Sequence, residues 1–139
     1  MAGSPSAARD RFESARAYLS APRCAVLSTL DADGAPQQAV VHYLIRPDHL
    51  LVNGRPDRHW VRNLRRDARV SIVVHDADQP LHWVGLRGRA EELHEGEPAL
   101  ADAMEMARRY GEDPADYERL DRVSFKVVPT RVFEYAADS

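Results

Sequence analysis

Two pairs of apolar runs joined by tight turns restrict what this chain can become. Residues 23–30 read as a compact strand, Asp31-Ala32-Asp33-Gly34 as a turn with glycine available for positive φ, and residues 37–45 as the returning strand. Residues 70–75 and 81–93 repeat the arrangement around a turn at 76–80. Short turns join antiparallel neighbours, whereas parallel strands need long crossovers. The order therefore favours a mainly β domain with external helices (α+β), a small closed or half-closed barrel, over a doubly wound parallel sheet.

Two further strands, 50–53 and 123–135, bring the expected number to six. Gly85 and Gly88 interrupt the long fifth strand and fit a bend, a bulge or the close approach of another group. Pro129 puts the last strand at an edge or a bulge. Phe12, Ala15, Ala17, Tyr18 and Leu19 recur at helical spacing, and Ser20-Ala21-Pro22 ends that helix. An arginine-rich helix starts near Pro56-Asp57, a second amphipathic helix covers 97–109, and a short one follows Asp113-Pro114 to about Leu120.

A chain of 139 residues is expected to form one domain over 1–139, with 1–8 as a flexible N-terminus and 136–139 as a tail. Its single cysteine, Cys24, lies in an apolar run and reads as a core thiol, with no internal disulfide or cysteine-rich zinc site. No stretch approaches the ~20 apolar residues that span a bilayer. No hydrophobic segment with a cleavage site opens the chain, so a cytoplasmic protein with no membrane partner is expected.

Charge is unevenly placed around a net of -3. Residues 1–90 carry 13 arginines against 9 acids, and residues 91–121 carry 3 arginines against 11 acids. That acidic stretch reads as a solvated face and argues against a nucleic-acid partner, which needs one broad positive surface. Within 53–69, six arginines oppose two aspartates. Arg58, Arg62 and Arg65 form one helical stripe, and Arg62 and Arg66 share a side. Arginine binds phosphate or carboxylate with two charge-assisted hydrogen bonds, and Asn53, Gly54 and the amides opening the helix would complete such a pocket. A solvated face with local aspartate pairs accounts for the same residues, so both readings stand.

The six histidines form no HxxxH or HExxH pair, so no metal site is expected. No phosphate-binding loop, nucleophile elbow or dinucleotide fingerprint is present. Trp60 opens the arginine helix, and strand alternation puts Trp83 on the same face as Leu81 and Gly85, where a flat ring could lie over Gly85. Each serves as a core residue or as the wall of a slot for a planar heterocycle.

Three runs carry a resemblance: Ala25-Val26-Leu27-Ser28-Thr29-Leu30-Asp31-Ala32-Asp33-Gly34-Ala35-Pro36-Gln37, Val61-Arg62-Asn63-Leu64-Arg65-Arg66-Asp67-Ala68-Arg69-Val70-Ser71-Ile72 and Gly88-Arg89-Ala90-Glu91. Together they resemble the pyridoxamine 5'-phosphate oxidase-like split-barrel flavoproteins over residues 12–135. More closely, they are similar to the small actinobacterial proteins that depend on the deazaflavin coenzyme F420.

The resemblance implies a homodimer of six-stranded split β-barrels of the FMN-binding type, with the cofactor in a groove at the subunit interface. It implies an F420-dependent oxidoreductase that transfers a hydride between the deazaflavin and a conjugated small molecule. An FMN enzyme of the same fold, or a non-catalytic binder, is the alternative. Carried over, the phosphate site maps onto Asn53, Arg55, Arg58, His59, Trp60 and Asn63. Val40 and His42 would lie beside the ring system with Trp83 near it, and His42 is the candidate hydrogen-bond donor or proton source.

One departure stands out. Many relatives carry a lysine three residues before the asparagine of the Arg62-Asn63-Leu64 run, and this chain has Trp60 there. The only lysine, Lys126, lies in the last strand. Either Arg55, Arg58 and His59 compensate, or the cofactor sits differently, or its binding is lost.

Overall fold

The computed structural model describes residues 5–118 and 121–136. Helices α1 (Pro5–Ser14) and α2 (Arg16–Ser20) lead into strands β1 (Cys24–Leu30), β2 (Pro36–Val41), β3 (Leu44–Ile45) and β4 (Leu50–Gly54). Helix α3 (His59–Arg66), β5 (Arg69–His75), β6 (His82–Glu95), α4 (Glu97–Arg109), a one-turn 3-10 helix (Pro114–Tyr117) and β7 (Val123–Ala136) follow. The strands form one antiparallel sheet in the order β2-β1-β5-β6-β7-β4-β3. It is a mainly β fold with external helices.

The expected hairpins are present. Gly34 takes φ 86° in the β1–β2 turn, where Asp31 N–H donates to the Ala35 carbonyl at 2.8 Å. Residues 5–8, expected to be flexible, lie in α1, and Ala8 is buried. Residues 1–4 and 137–139, like Leu120 at the expected end of the short helix, lie outside the described residues.

The sheet has seven strands because the expected run 37–45 breaks at His42-Tyr43. Tyr43 turns wholly inward, and its hydroxyl bonds the carbonyls of Leu19 and Ala21 at 2.9 and 3.0 Å. Burial raises its phenol pKa, so that hydroxyl keeps its proton as an anchor.

Inner-face side chains alternate along the strands and close on Phe12 and Leu19 from α1–α2 and on Trp60, Val61 and Leu64 from α3. A smaller cluster of Leu44, Leu51 and Met106 lies under α4. All five residues of β4 are buried, because core covers one face and α4 the other. Pro129 sits at a bulge where the β6–β7 register shifts, beyond the end of the β4 pairing. Gly88 faces it so closely that a Cβ there would overlap the Val128 carbonyl oxygen.

Cys24 is exposed and not a core thiol, because strand alternation turns it to the opposite sheet face from Ala25 and Leu27. On that outer face Val40, Val26, Val73, Gly85 and Phe133 align in register across five strands.

Candidate functional site

Between the end of β2, β4, the loop before α3 and helix α4 lies an open cavity of about 500 Å³. Its apolar wall is Val40, Val41, Trp60, Ala103 and Met106. Its polar wall is His42, Asn53, Arg55, Arg58, Tyr117 and Arg122. A pocket with one greasy wall and a few convergent polar groups is the usual form of a small-molecule site.

The arginine-rich segment divides by role. Pro56 and Asp57 form a turn in which Arg58 N–H donates to the Arg55 carbonyl at 3.1 Å, and α3 starts later than expected, at His59. Beyond that point Arg62 is exposed at the surface, and the charges of Arg65, Arg66 and Arg69 are spent on structure. Arg65 pairs with Glu92 and Glu95 at 2.8 and 3.3 Å. Arg66 donates to Asn63 Oδ1 and to the Leu30 carbonyl, and Arg69 pairs with Asp67 at 2.8 Å. Arg69 also holds the Asp67 carboxyl down at about 2. Only Arg55 and Arg58 of the six reach the cavity.

A third guanidinium comes from elsewhere. Arg122 stands just before β7, and pairing of Val123 with Gly54 brings it to the cavity mouth. Its Nε donates to Asn53 Oδ1 at 2.7 Å, and its guanidinium lies 5.4 Å from the Tyr117 ring. Among the described residues no carboxylate pairs with it. Burial lowers its pKa, and the nearby charges of Arg58 and Arg55 push in the same direction. Arg55 has Asp57 at 3.5 Å, but Arg58 and half-buried Arg122 have no carboxylate among the described residues, and positive charge gathered in this way favours an anion. The signal was invisible along the chain, since the partner residues are separated by 69 positions.

The other expected site residues distribute as follows. Val40 is 75% exposed at the rim. His42 stacks flat on Tyr110 with ring centres 3.8 Å apart, and its Nδ1 lies 3.2 Å from Glu112. Trp60 packs its benzo ring on Gly54 and meets Phe125 edge-on. Asn53 lines the cavity, yet its side chain is fully engaged within the protein.

Three are placed away from the cavity. His59 bonds Asp31 at 2.7 Å. Asn63 is buried and donates to Thr29 and Asp31 at 3.0 and 2.9 Å, tying α3 to β1. These contacts hold the Asp31 carboxyl below its usual range, the Asn63 bond most strongly. Trp83 lies on the outer sheet face, where its ring covers Gly85 and stacks on Tyr135. Sequence reasoning missed Tyr117, Ala103 and Met106 along with Arg122.

Ser124, Asp102 and His94 also meet, but not as a hydrolytic triad. Ser124 and His94 both donate to the same oxygen of Asp102, so no base faces the serine, and Ser124 is wholly buried. Among the described residues no three histidine, cysteine or acidic side chains gather as a metal site, and no helix is long and apolar enough to cross a membrane.

Solved structures share this architecture. An F420 reductase is 28% identical with a TM-score of 0.72, the match covering 85% of this chain and 94% of that one. An FAD-binding protein from Mesorhizobium loti is 22% identical with a TM-score of 0.68, covering 91% and 94% of the two chains. The heme storage protein HutZ from Vibrio cholerae is 19% identical with a TM-score of 0.71, covering 88% and 93%. The last two likenesses show the fold alone. The family model described as pyridoxamine 5'-phosphate oxidase matches residues 12–136, and the chain belongs to that family.

Proposed function

We propose that the cavity holds the phosphate of a flavin-type cofactor, coenzyme F420 in preference to FMN, and that the protein is an F420-dependent oxidoreductase acting on a conjugated small molecule. The observation that carries the reading is Arg122, half-buried, without a carboxylate among the described residues and sharing the cavity with Arg58 and Arg55. A phosphate would supply the missing charge and accept charge-assisted bonds from the guanidinium hydrogens left free of protein partners. Trp60 leaves the usual lysine charge absent and His59 is occupied by Asp31, so Arg122 takes over that neutralisation. The likeness to an F420 reductase favours the deazaflavin.

When bound, the deazaflavin gives or takes the hydride at C5, and no side-chain nucleophile is needed. The protein's part is to bind, orient and keep water out. Val40, Trp60 and Met106 offer the apolar wall for a flat ring. Glu112 and Tyr110 fix the His42 ring, and its Nε2 has no partner among the described residues, which suits a donor or proton source beside a substrate.

The reading includes a homodimer. The row Val40, Val26, Val73, Gly85 and Phe133 is a half-exposed apolar stripe on the outer sheet face, flanked by the polar row Gln38, Ser28, Ser71 and Arg87, and Val40 joins it to the cavity rim. A second copy on this face closes the groove and brings its Trp83 near.

Titration of purified protein with F420 and FMN tests the cofactor. Quenching of F420 fluorescence with tighter binding than FMN is expected, whereas yellow protein carrying FMN and ignoring F420 overturns the preference. Reduced F420 is then offered with enones, quinones and tetrapyrroles. Binding without turnover across the panel makes the protein a non-catalytic binder.

A further inference from the structure

Asn53 is the fourth of the five buried residues of β4, between Arg122 at the cavity and helix α4. Its Nδ2 donates to the Ala99 carbonyl at 2.8 Å and to Ser124 Oγ at 2.9 Å. Those two bonds use both donors of the amide and leave Oδ1 for Arg122 Nε at 2.7 Å. Turning the amide over would press Oδ1 against the Ala99 carbonyl, so its direction is set. Ser124 spends its own hydrogen on Asp102 Oδ2 at 2.8 Å, and His94 donates to the same oxygen at 2.7 Å. The bonds therefore run one way, from Arg122 through Asn53 and Ser124 to Asp102.

The carboxylate that ends this relay does not touch Arg122. Asp102 faces Arg46 at 3.6 Å on its other oxygen and is screened from the cavity by Ser124 and Asn53. With Nε tied to Oδ1 and Nη2 near the Asn53 carbonyl at 3.4 Å, the remaining guanidinium hydrogens have no acceptor among the described residues. A carboxylate at position 53 would grip the same nitrogen and cancel its charge. A hydrophobic residue there would leave the charge and lose its direction.

We infer that Asn53 is a positioning residue of the anion site, a neutral acceptor that aims Arg122 while leaving its charge available to a phosphate. The inference rests on the cavity being an anion site. It moves Asn53 from phosphate ligand to the support of one, and it extends the site's machinery to Ser124 and Asp102.

The test compares native protein with Asn53→Asp, Ser124→Ala, Arg122→Ala and Arg58→Ala. Each is titrated with F420, FMN and inorganic phosphate at two salt concentrations, with thermal unfolding and the hydrogen-exchange rate of the Arg122 Nε–H followed alongside. Asn53→Asp is expected to bind about tenfold more weakly, as Arg122→Ala does, with less salt dependence. Its Nε–H exchange should stay slow, since the bond to Arg122 is kept and its charge is cancelled, while the two amide donations to Ala99 and Ser124 are lost and thermal unfolding reads that cost. Ser124→Ala is expected to weaken binding and speed that exchange, because the amide then keeps only its bond to the Ala99 carbonyl.

Native affinity in Asn53→Asp, beside weakened Arg122→Ala, overturns the inference and leaves the anion site standing. Native affinity in both Arg58→Ala and Arg122→Ala, or a native protein that binds none of the three probes, removes the anion site and the inference with it. If Asn53→Asp does not fold, Ser124→Ala decides: native affinity in that variant overturns the positioning role.

Discussion

The benzo ring of Trp60 rests on the backbone of Gly54, so close that a Cβ at residue 54 would overlap its Cζ2 atom. Both residues are buried and line the same cavity, so the wall depends on the absence of one methyl group. Gly54→Ala is expected to displace the indole and destabilise the fold by about 1–3 kcal/mol, the usual range for overpacking. Thermal unfolding reads the loss, and a red shift of tryptophan emission reads the displaced ring. An unchanged melting temperature would mean that the ring moves aside freely.

Arg58 is exposed and has no carboxylate partner among the described residues, so its removal should cost binding rather than stability. Arg58→Ala is expected to weaken F420 binding about 10–100-fold, the scale of one or two charge-assisted bonds. Arg65→Ala, which gives up only the Glu92 and Glu95 pairs, should leave affinity unchanged. Fluorescence titration separates the two; equal effects would assign the segment to general electrostatics.

Asn63 ties α3 to β1 through Thr29 and Asp31. Asn63→Ala should destabilise by about 1–3 kcal/mol through the buried bond to Thr29 alone. It should also let the Asp31 carboxyl rise toward its ordinary value, because the Asn63 bond is the largest cause of its depression. A depressed carboxylate adds stability above its unfolded pKa, and that contribution fades as pH falls through the folded value. The stability gap between native and variant is therefore expected to narrow below roughly pH 4. Carboxyl NMR titration and acid unfolding check both halves.

Val26 and Val73 pair in register on the outer face and do not belong to the core. On the proposed homodimer, Val26→Glu with Val73→Glu should give a folded monomer, seen as a halved mass in sedimentation with an unchanged far-ultraviolet spectrum. Cofactor affinity should drop with it, as the groove loses its second wall. A dimer that survives the double change would place the interface on another face.

Local rules reached far into this fold. The period of 3.6 gives α4 at Glu97–Arg109, the span found, and the turn at Gly34 appears where its glycine demands it. They stopped where a distant contact decides. Tyr43 reads as one more strand residue, yet the carbonyls of Leu19 and Ala21 pull it inward and split the strand. Cys24 belongs to an apolar run, and only the face it takes in the sheet exposes it. At the site, Val40, His42, Asn53, Arg55, Arg58 and Trp60 converge as a set. His59 is claimed by Asp31, and Arg122 enters only through β4–β7 pairing, which no local pattern announces.

The chain has two tryptophans, and they have come to rest at opposite ends of its functional geography. Trp60 is sunk in the cavity wall, and Trp83 stacks on Tyr135 on the outer sheet face. The protein thus carries two built-in optical reporters. On the proposed reading, a chromophore entering the cavity would drain emission from Trp60 by energy transfer, while a second subunit settling on the sheet would shift the colour of Trp83. Single tryptophan-to-phenylalanine replacements would let one instrument time filling and assembly separately, without any attached dye.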